Sequence, residues 1–253
     1  MEINEQANSE VVYGRNAVTE LIKGAEAVDT LYVSGDPNDK ALGYIVSIAK
    51  EKGAVIKQAP ASKLQKLCGS ERHQGVAVFA TLCEYCELDD IFNTAAEKGE
   101  APFIIIADGI EDPHNLGAII RTAECVGAHG LIIPKRHGGS VTSAVHRTSA
   151  GAISHLNVMR AVNLASVIRE IKERGVFCYC ADADGKNCYG CNLTGASALV
   201  IGSEGYGVSR LVRDLCDVVV SLPMKGEINS LNASVAAGVL MYEIRRQRDI
   251  KER

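Results

Sequence analysis

Three glycines, Gly202, Gly205 and Gly207, fall within six residues of the stretch LVIGSEGYGVSR. They follow the apolar run Leu199-Val-Ile, and that order predicts a buried strand breaking into a loop. Without side chains in the way, the backbone N–H groups of such a loop can approach a ligand closely. A second apolar run, Val218 to Leu222, reads as another strand, stopped by Pro223 and followed by Met224. Ser230-Leu231-Asn232 then precedes a helix rich in Ala, Val and Leu, so Ser230 and Asn232 stand at N-cap positions. Two strand ends and one helix start close together describe a ligand site. The spacing is G-x-x-G-x-G, not the dinucleotide-binding G-x-G-x-x-G. On the glycines alone, a tight turn with no ligand stays open.

The chain that must position these residues has 253 residues, 47% hydrophobic and 23% charged. That is enough for one large or two modest domains with a substantial core. No run approaches the roughly 20 apolar residues of a membrane span. The polar, acidic opening MEINEQANSE does not read as a signal peptide, so a cytoplasmic protein is expected. Nine cysteines include two C-x-x-C pairs, Cys83/Cys86 and Cys188/Cys191. The pairs are about a hundred residues apart, beyond the 15–20 of a paired zinc motif, and no histidine sits beside either. Free thiols in a reducing compartment are the expectation, with structural zinc as the alternative and no metal assigned.

Net charge is −4, and neither part of the chain is basic: 9 Lys/Arg face 11 Asp/Glu in residues 1–84, and 18 face 20 thereafter. Any contact with nucleic acid must come from local patches such as Lys135-Arg136-His137, His146-Arg147 or Arg245-Arg246-Gln247-Arg248. With no Trp and only four Phe, a row of aromatic platforms for single-stranded bases is not expected.

Residues 1–84 read as a small α/β domain. Tyr13-Gly14-Arg15-Asn16 forms a turn with Asn16 capping a helix that Gly24 ends. Strands are expected at 28–33, 54–57 and 75–80. Helices are expected at 37–52, where Leu42, Ile45, Val46 and Ala49 recur at helical spacing, and at 61–68. Residues 85–253 form a second α/β domain, introduced by an acidic helix at 88–98. Phe103-Ile-Ile-Ile-Ala is apolar throughout, as a strand buried on both faces of a parallel sheet requires. It runs into DGIEDPHNLGAIIRTAE, where Asn115 is placed in the strand-to-helix turn. Gly117 lets the helix start close to the sheet, and Arg121 lies about two turns along. Strands at 130–134, 176–180 and 199–201 alternate with helices at 117–126 and 164–174, and a polar loop spans 183–195. The alternation gives a mainly parallel sheet covered on both sides.

GSEGYG, SLPM, SLNASVAAG and DPHNLGAIIRTAE together resemble the signature motifs of the SpoU (TrmH) family of RNA ribose 2′-O-methyltransferases, in the SPOUT class. The opening YGRNAV and His73-Gln74-Gly75 resemble the N-terminal RNA substrate-binding domain, itself ribosomal-protein-like, of members that methylate large-subunit (23S) ribosomal RNA. The resemblance implies a trefoil knot in the C-terminal domain, although chains rarely knot. It implies S-adenosylmethionine as cofactor and a homodimer that completes the site. The implied partner is RNA, as 23S ribosomal RNA or a pre-ribosomal particle, with neither DNA nor a membrane.

Carried onto this chain, the motifs make Arg121, Asn115, Glu204, Ser230 and Asn232 the catalytic set. Gly202, Leu222 and Leu231 hold the cofactor through their backbone, with Met224 packing nearby. Arg15, Arg72 and His73 are the implied RNA contacts. A guanidinium stays protonated in water and is a poor base, so Arg121 is expected to orient the target phosphate and stabilise the developing alkoxide; base action with phosphate assistance stays open. Asn115 and Glu204 are expected to hold Arg121 and the ribose. Ser230 and Asn232 set the loop, by capping, by contacting the nucleotide, or both. The chain departs from the family at Ala233, where Val is common, a packing change. A guanosine of the large-subunit peptidyl-transferase region is the implied target. A transfer-RNA methyltransferase or a resistance-type ribosomal methyltransferase is the alternative. An RNA-binding protein without activity would be expected to lack Arg121 or Glu204. A nucleotide-dependent oxidoreductase would need a glycine fingerprint where DGIEDPHN stands.

Overall fold

The computed structural model describes residues 9–24, 28, 30–35, 39–81, 83–136 and 138–251. Most of the polar leader and His137 of the basic patch lie outside the described residues. The chain divides into two compact units, Met1–Leu82 and Cys83–Arg253.

The first unit carries strands Ser9–Tyr13 (β1), Thr30–Val33 (β2), Val55–Gln58 (β3) and Val76–Thr81 (β4). Its helices are Arg15–Gly24 (α1), Lys40–Glu51 (α2) and Ala61–Cys68 (α3). The sheet order is β1-β4-β2-β3; β4 runs antiparallel to both neighbours, and β2 and β3 are parallel. Val18, Ile22, Leu31, Ile45, Ala49, Val76 and Val78 form its core. Asp39 caps α2, its Oδ1 accepting from the N–H groups of Ala41 and Leu42. Asn16, expected as the cap of α1, instead sits inside that helix, which already starts at Arg15. Gly75 has φ +80°, and a Cβ there would lie 2.3 Å from the Ser34 carbonyl oxygen, so only glycine fits.

The second unit is built on a seven-stranded sheet: Tyr85–Cys86 (β5), Phe103–Asp108 (β6), Gly130–Pro134 (β7), Asn157–Ala161 (β8), Phe177–Asn187 (β9), Ser197–Gly202 (β10) and Val218–Ser221 (β11). The order is β11-β9-β10-β6-β7-β8-β5, and every pairing is parallel. Helices Leu88–Glu97 (α4), Pro113–Cys125 (α5), Ser143–Thr148 (α6), Leu164–Glu173 (α7), Arg210–Leu215 (α8) and Ala233–Lys251 (α9) accompany it. β6 is buried along Phe103–Ala107. Each fully buried isoleucine there contributes on the order of 1.5–3 kcal/mol by leaving water.

The topology decides where a ligand goes. From β6 the chain winds outward through β7 and β8, then crosses over to lay down β9, β10 and β11 on the other side of β6. The winding therefore reverses between β6 and β10, whose last residues, Asp108 and Gly202, are partners in register. In an open parallel sheet the loops diverge at such a reversal and leave a crevice at the carboxyl ends of the strands.

Two expectations are corrected here. The polar loop at 183–195 begins as part of β9: its pairing with β11 skips from Cys180 to Lys186, and residues 181–185 bulge out between. Gly117 does not serve the sheet. A Cβ on it would lie 2.6 Å from the Thr148 Cβ, so it lets α5 press against α6.

The end of α9 is tied to the sheet by Arg248, only 6% exposed. Its guanidinium donates to the carbonyls of Ala101 (2.9 Å), Pro102 (2.7 Å) and Gly195, and to the Ser197 hydroxyl (3.2 Å). It also lies 4.9 Å from the Phe103 ring centre. Arg248→Ala takes these donors away and leaves the Pro102 carbonyl only the Ser197 N–H. We expect it to destabilise the second unit by about 2–5 kcal/mol, measured by urea unfolding. Arg248→Lys should recover only part, because one ammonium cannot span the fork.

Among the described residues no helix is long and apolar enough to cross a membrane. No three His, Cys, Asp or Glu side chains among them gather to hold a metal ion. The cysteines are free thiols. Burial pushes Cys83 and Cys178 up to about 12 and Cys86 to about 11, which keeps these thiols protonated and poor as nucleophiles or ligands.

Candidate active site

Beside that crevice, on the β10 side, lies a cavity of about 570 Å³ whose walls come from four segments. They are the β9 bulge (181–183), the β10 loop (201–207), the end of β11 with its continuation (220–224), and the approach to α9 (229–233). Gly202 makes the second wall possible. A Cβ there would lie 2.0 Å from the Gly207 carbonyl carbon and 2.2 Å from the Val208 nitrogen. The loop folds back onto Gly202 because Ser203 and Gly207 exchange hydrogen bonds of 3.2 and 2.9 Å, with Gly205 and Gly207 at positive φ. Asp108, at the end of β6, accepts from the Ser209 N–H at 2.8 Å and fixes the loop's far end.

Glu204 on this loop joins three elements. Its Oε1 accepts from Asn115 Nδ2 at 2.9 Å, from Asn232 Nδ2 in a short bond, and from the Ala233 N–H at 3.3 Å. Asn232 also donates to Asn115 Oδ1 at 2.9 Å. Meanwhile Asn232 Oδ1 accepts from the backbone of Ser234 and Val235, at 3.0 and 3.2 Å, and so caps α9. One carboxylate and two amides thus pin the starts of α5 and α9 to the loop after β10.

The expected catalytic residues do not all meet. Asn115, Glu204 and Asn232 are brought together, with Asn115 in the first turn of α5 rather than in the turn before it; Asp112 is the cap there. Ser230 lines the cavity but does not cap α9, which begins at Ala233 and is capped by Asn232. Arg121 is exposed on α5 and has no hydrogen-bond or ion-pair partner among the described residues. It is not held by Asn115 or Glu204, and helix geometry explains why. Positions i and i+6 point about 120° apart and stand about 9 Å along the axis.

Gly202, Leu222, Met224 and Leu231 all line the cavity. Among the described residues no loop hydrogen bond joins the backbone of 222–231 to other backbone, so its N–H and C=O groups are open to solvent or to a ligand. Sequence reading missed the first wall, Ala181–Ala183, because these residues carry no glycine or proline to mark the bulge.

In the first unit the implied RNA contacts separate. The Arg15 guanidinium is spent on an ion pair with Asp39 (2.6 Å) and on the Gln74 carbonyl, while its backbone N–H donates to the Gln74 side chain. His73 is buried, its Nδ1 accepting from the Gly75 N–H at 3.1 Å, so it is a turn residue and not a surface contact. Arg72 is exposed with its guanidinium free.

Both units of the chain are similar to known protein families. Residues 102–242 match the SpoU rRNA Methylase family, and residues 11–86 match RNA 2′-O ribose methyltransferase substrate binding. A Bacillus subtilis protein named for the TrmH family of tRNA/rRNA methyltransferases is 45% identical over 240 residues, covering 94% of this chain and 96% of its own. The crystal structure of the SpoU methyltransferase AviRb from Streptomyces viridochromogenes, in complex with AdoMet, is 27% identical. It superposes with a TM-score of 0.72 over 96% of this chain and 91% of that one. A TrmH/SpoU tRNA modifying enzyme from A. aeolicus, 29% identical, superposes with a TM-score of 0.55 over 60% of this chain and 78% of its own.

Proposed function

This chain belongs to the SpoU family of RNA methyltransferases, and from that premise we propose that it methylates the ribose 2′-hydroxyl of a guanosine in large-subunit ribosomal RNA. S-adenosylmethionine is the cofactor. The observation that carries the reading is one cavity of about 570 Å³ with the Glu204–Asn115–Asn232 cluster on its rim.

The cofactor fits the residues present. Met224 and the partly exposed Leu231 give apolar wall, while the backbone at Gly202, Leu222 and Leu231 offers polar groups for a nucleoside and an amino-acid moiety. When bound, it supplies a methyl group made electrophilic by the adjoining sulfonium. The chain's own work is positioning. The Glu204–Asn115–Asn232 cluster fixes the cavity rim, so a ribose meets groups that need not reorganise. Arg121 presents its N–H donors to the phosphate beside the target and to the oxygen on which negative charge develops. Ser230 stands free on the rim to contact the nucleotide.

Two further parts of the reading concern assembly. Arg121 has no partner among the described residues, and Val235, Val239 and Tyr242 are exposed along one side of α9. Both features support a homodimer that completes the site. A threaded, knotted C-terminal segment is supported by Glu204, which ties the loop after β10 to the stretch between β11 and α9. Ribosomal over transfer RNA is supported by the matched substrate-binding region, whereas the tRNA modifying enzyme aligns with only 60% of this chain.

The test offers methyl-labelled S-adenosylmethionine with unmodified large-subunit RNA or unmodified transfer RNA. Label in the large-subunit RNA alone is the expected result. Label in transfer RNA alone would move the substrate class and leave the chemistry. Bound cofactor with no label in either RNA would overturn the enzymatic reading.

A further inference from the structure

A second cavity, of about 420 Å³, opens beside the first and shares Ser203 and Glu204 with it. Its other walls are residues 109–112 at the end of β6, Asn115, and Tyr206. The volume is within the range of small-molecule sites, about 300–1,000 Å³. Three carboxylates, Glu111, Asp112 and Glu204, border it, and no lysine or arginine does. An anion is excluded on that ground, so the RNA phosphate must lie elsewhere. A neutral group rich in N–H donors fits.

Two side chains here have no structural task. Tyr206 is 95% exposed on the loop after β10. Exposed rings on mobile loops are ordinary. This one stands on a turn closed by the paired Ser203–Gly207 hydrogen bonds and anchored through Asp108 to Ser209. A ring whose backbone is fixed at a cavity mouth loses less freedom on stacking than one on a loose loop. Glu111 is the second. Asp112 is engaged as the cap of α5 and Glu204 by the two amides, whereas Glu111 is exposed and neither of its oxygens has a partner among the described residues.

We propose that this second cavity receives the base of the nucleotide being methylated, with Tyr206 stacking on its face and Glu111 reading its edge. An ionised carboxylate only accepts hydrogen bonds, and it accepts them two at a time. Guanine alone among the four bases presents two adjacent donors on its pairing edge, N1–H and N2–H. Adenine and cytosine set a ring acceptor beside the amine, and uracil flanks its one N–H with carbonyls; each puts a lone pair against a carboxylate oxygen. The base must then leave its stack, as enzymes that select one nucleotide require. This inference rests on the proposed ribose methylation and adds a base pocket and its specificity.

The test uses the full chain, labelled S-adenosylmethionine and a large-subunit RNA transcript. Tyr206→Ala should lower kcat/KM by about 10- to 100-fold, mainly through KM for RNA, consistent with the loss of one stacked base. Cofactor affinity should not change, because Tyr206 does not line the first cavity, and Tyr206→Phe should restore activity. With inosine replacing guanosine at the methylated position, wild-type kcat/KM should fall about 10-fold, as expected for one lost hydrogen bond to a charged group. Glu111→Gln should treat the two transcripts alike. A wild-type KM in Tyr206→Ala, a methylated nucleoside other than guanosine, or equal wild-type rates on the two transcripts would each overturn the pocket. Those results leave the methyltransferase reading standing. A wild type that transfers no methyl to any RNA removes that reading and the pocket with it.

Discussion

Arg121→Ala is expected to cut methyl transfer by about 10²–10³-fold while the protein stays folded and binds its cofactor as before. The size follows from taking away preorganised donors aimed at an oxygen on which charge develops. The selectivity follows from the structure. Arg121 is exposed and has no partner among the described residues, so its removal breaks none of the contacts seen to hold the fold. Substitutions at such positions usually change stability by no more than about 0.5 kcal/mol. Nor does Arg121 line the larger cavity, so cofactor affinity has no reason to change. Arg121→Lys keeps the charge without the planar fork and should recover only part of the rate. The check is a single-turnover rate alongside a cofactor titration; a rate within a few-fold of wild type would remove Arg121 from the chemistry.

Gly202→Ala should act on the other half of the reaction. The added methyl would stand 2.0 Å from the Gly207 carbonyl carbon and 2.3 Å from its oxygen, both backbone atoms closed by the paired Ser203–Gly207 bonds. The loop has to open, and it carries Ser203 and Glu204. Overpacking of this kind costs about 1–3 kcal/mol. Falling on the binding-competent loop, that weakens the cofactor by roughly 5- to 150-fold. Gly226→Ala is the control, since a Cβ there meets nothing within 4 Å. Calorimetric titration of both variants is the measurement, and equal affinities would mean the cofactor does not sit against Gly202.

The features legible in the sequence are those set by local chemistry. Phe103 to Ala107 reads as a doubly buried strand because it is apolar at every position, and β6 is buried there. The G-x-x-G-x-G loop reads as a close backbone approach, and Gly202 is one. What was hidden depends on partners far away in the chain. β8, with the sequence NVMRA, shows no clean alternation, and only its place between β7 and β5 makes it a strand. Ser230 and Asn232 are equal candidates for a cap until Asn232 is seen to accept from Ser234 and Val235. Arg15 and His73 look like free surface groups until Asp39, Gln74 and Gly75 take them up. Asn115 and Arg121 share one motif, yet the pitch of a helix sends them to different faces. Tyr206 and Glu111 carried no signal of their own; a cavity between two loops gives them one.

The central claim is the position of the methyl group. A methyl on the ribose 2′-oxygen removes the nucleophile that alkali needs, so the neighbouring phosphodiester survives hydrolysis. We would therefore label large-subunit RNA with the wild-type protein, hydrolyse it in alkali and separate the products by size. The account predicts that the label appears in a dinucleotide whose 5′ member is guanosine, and that Arg121→Ala yields little of it. Label released in mononucleotides would put the methyl on a base and contradict the account.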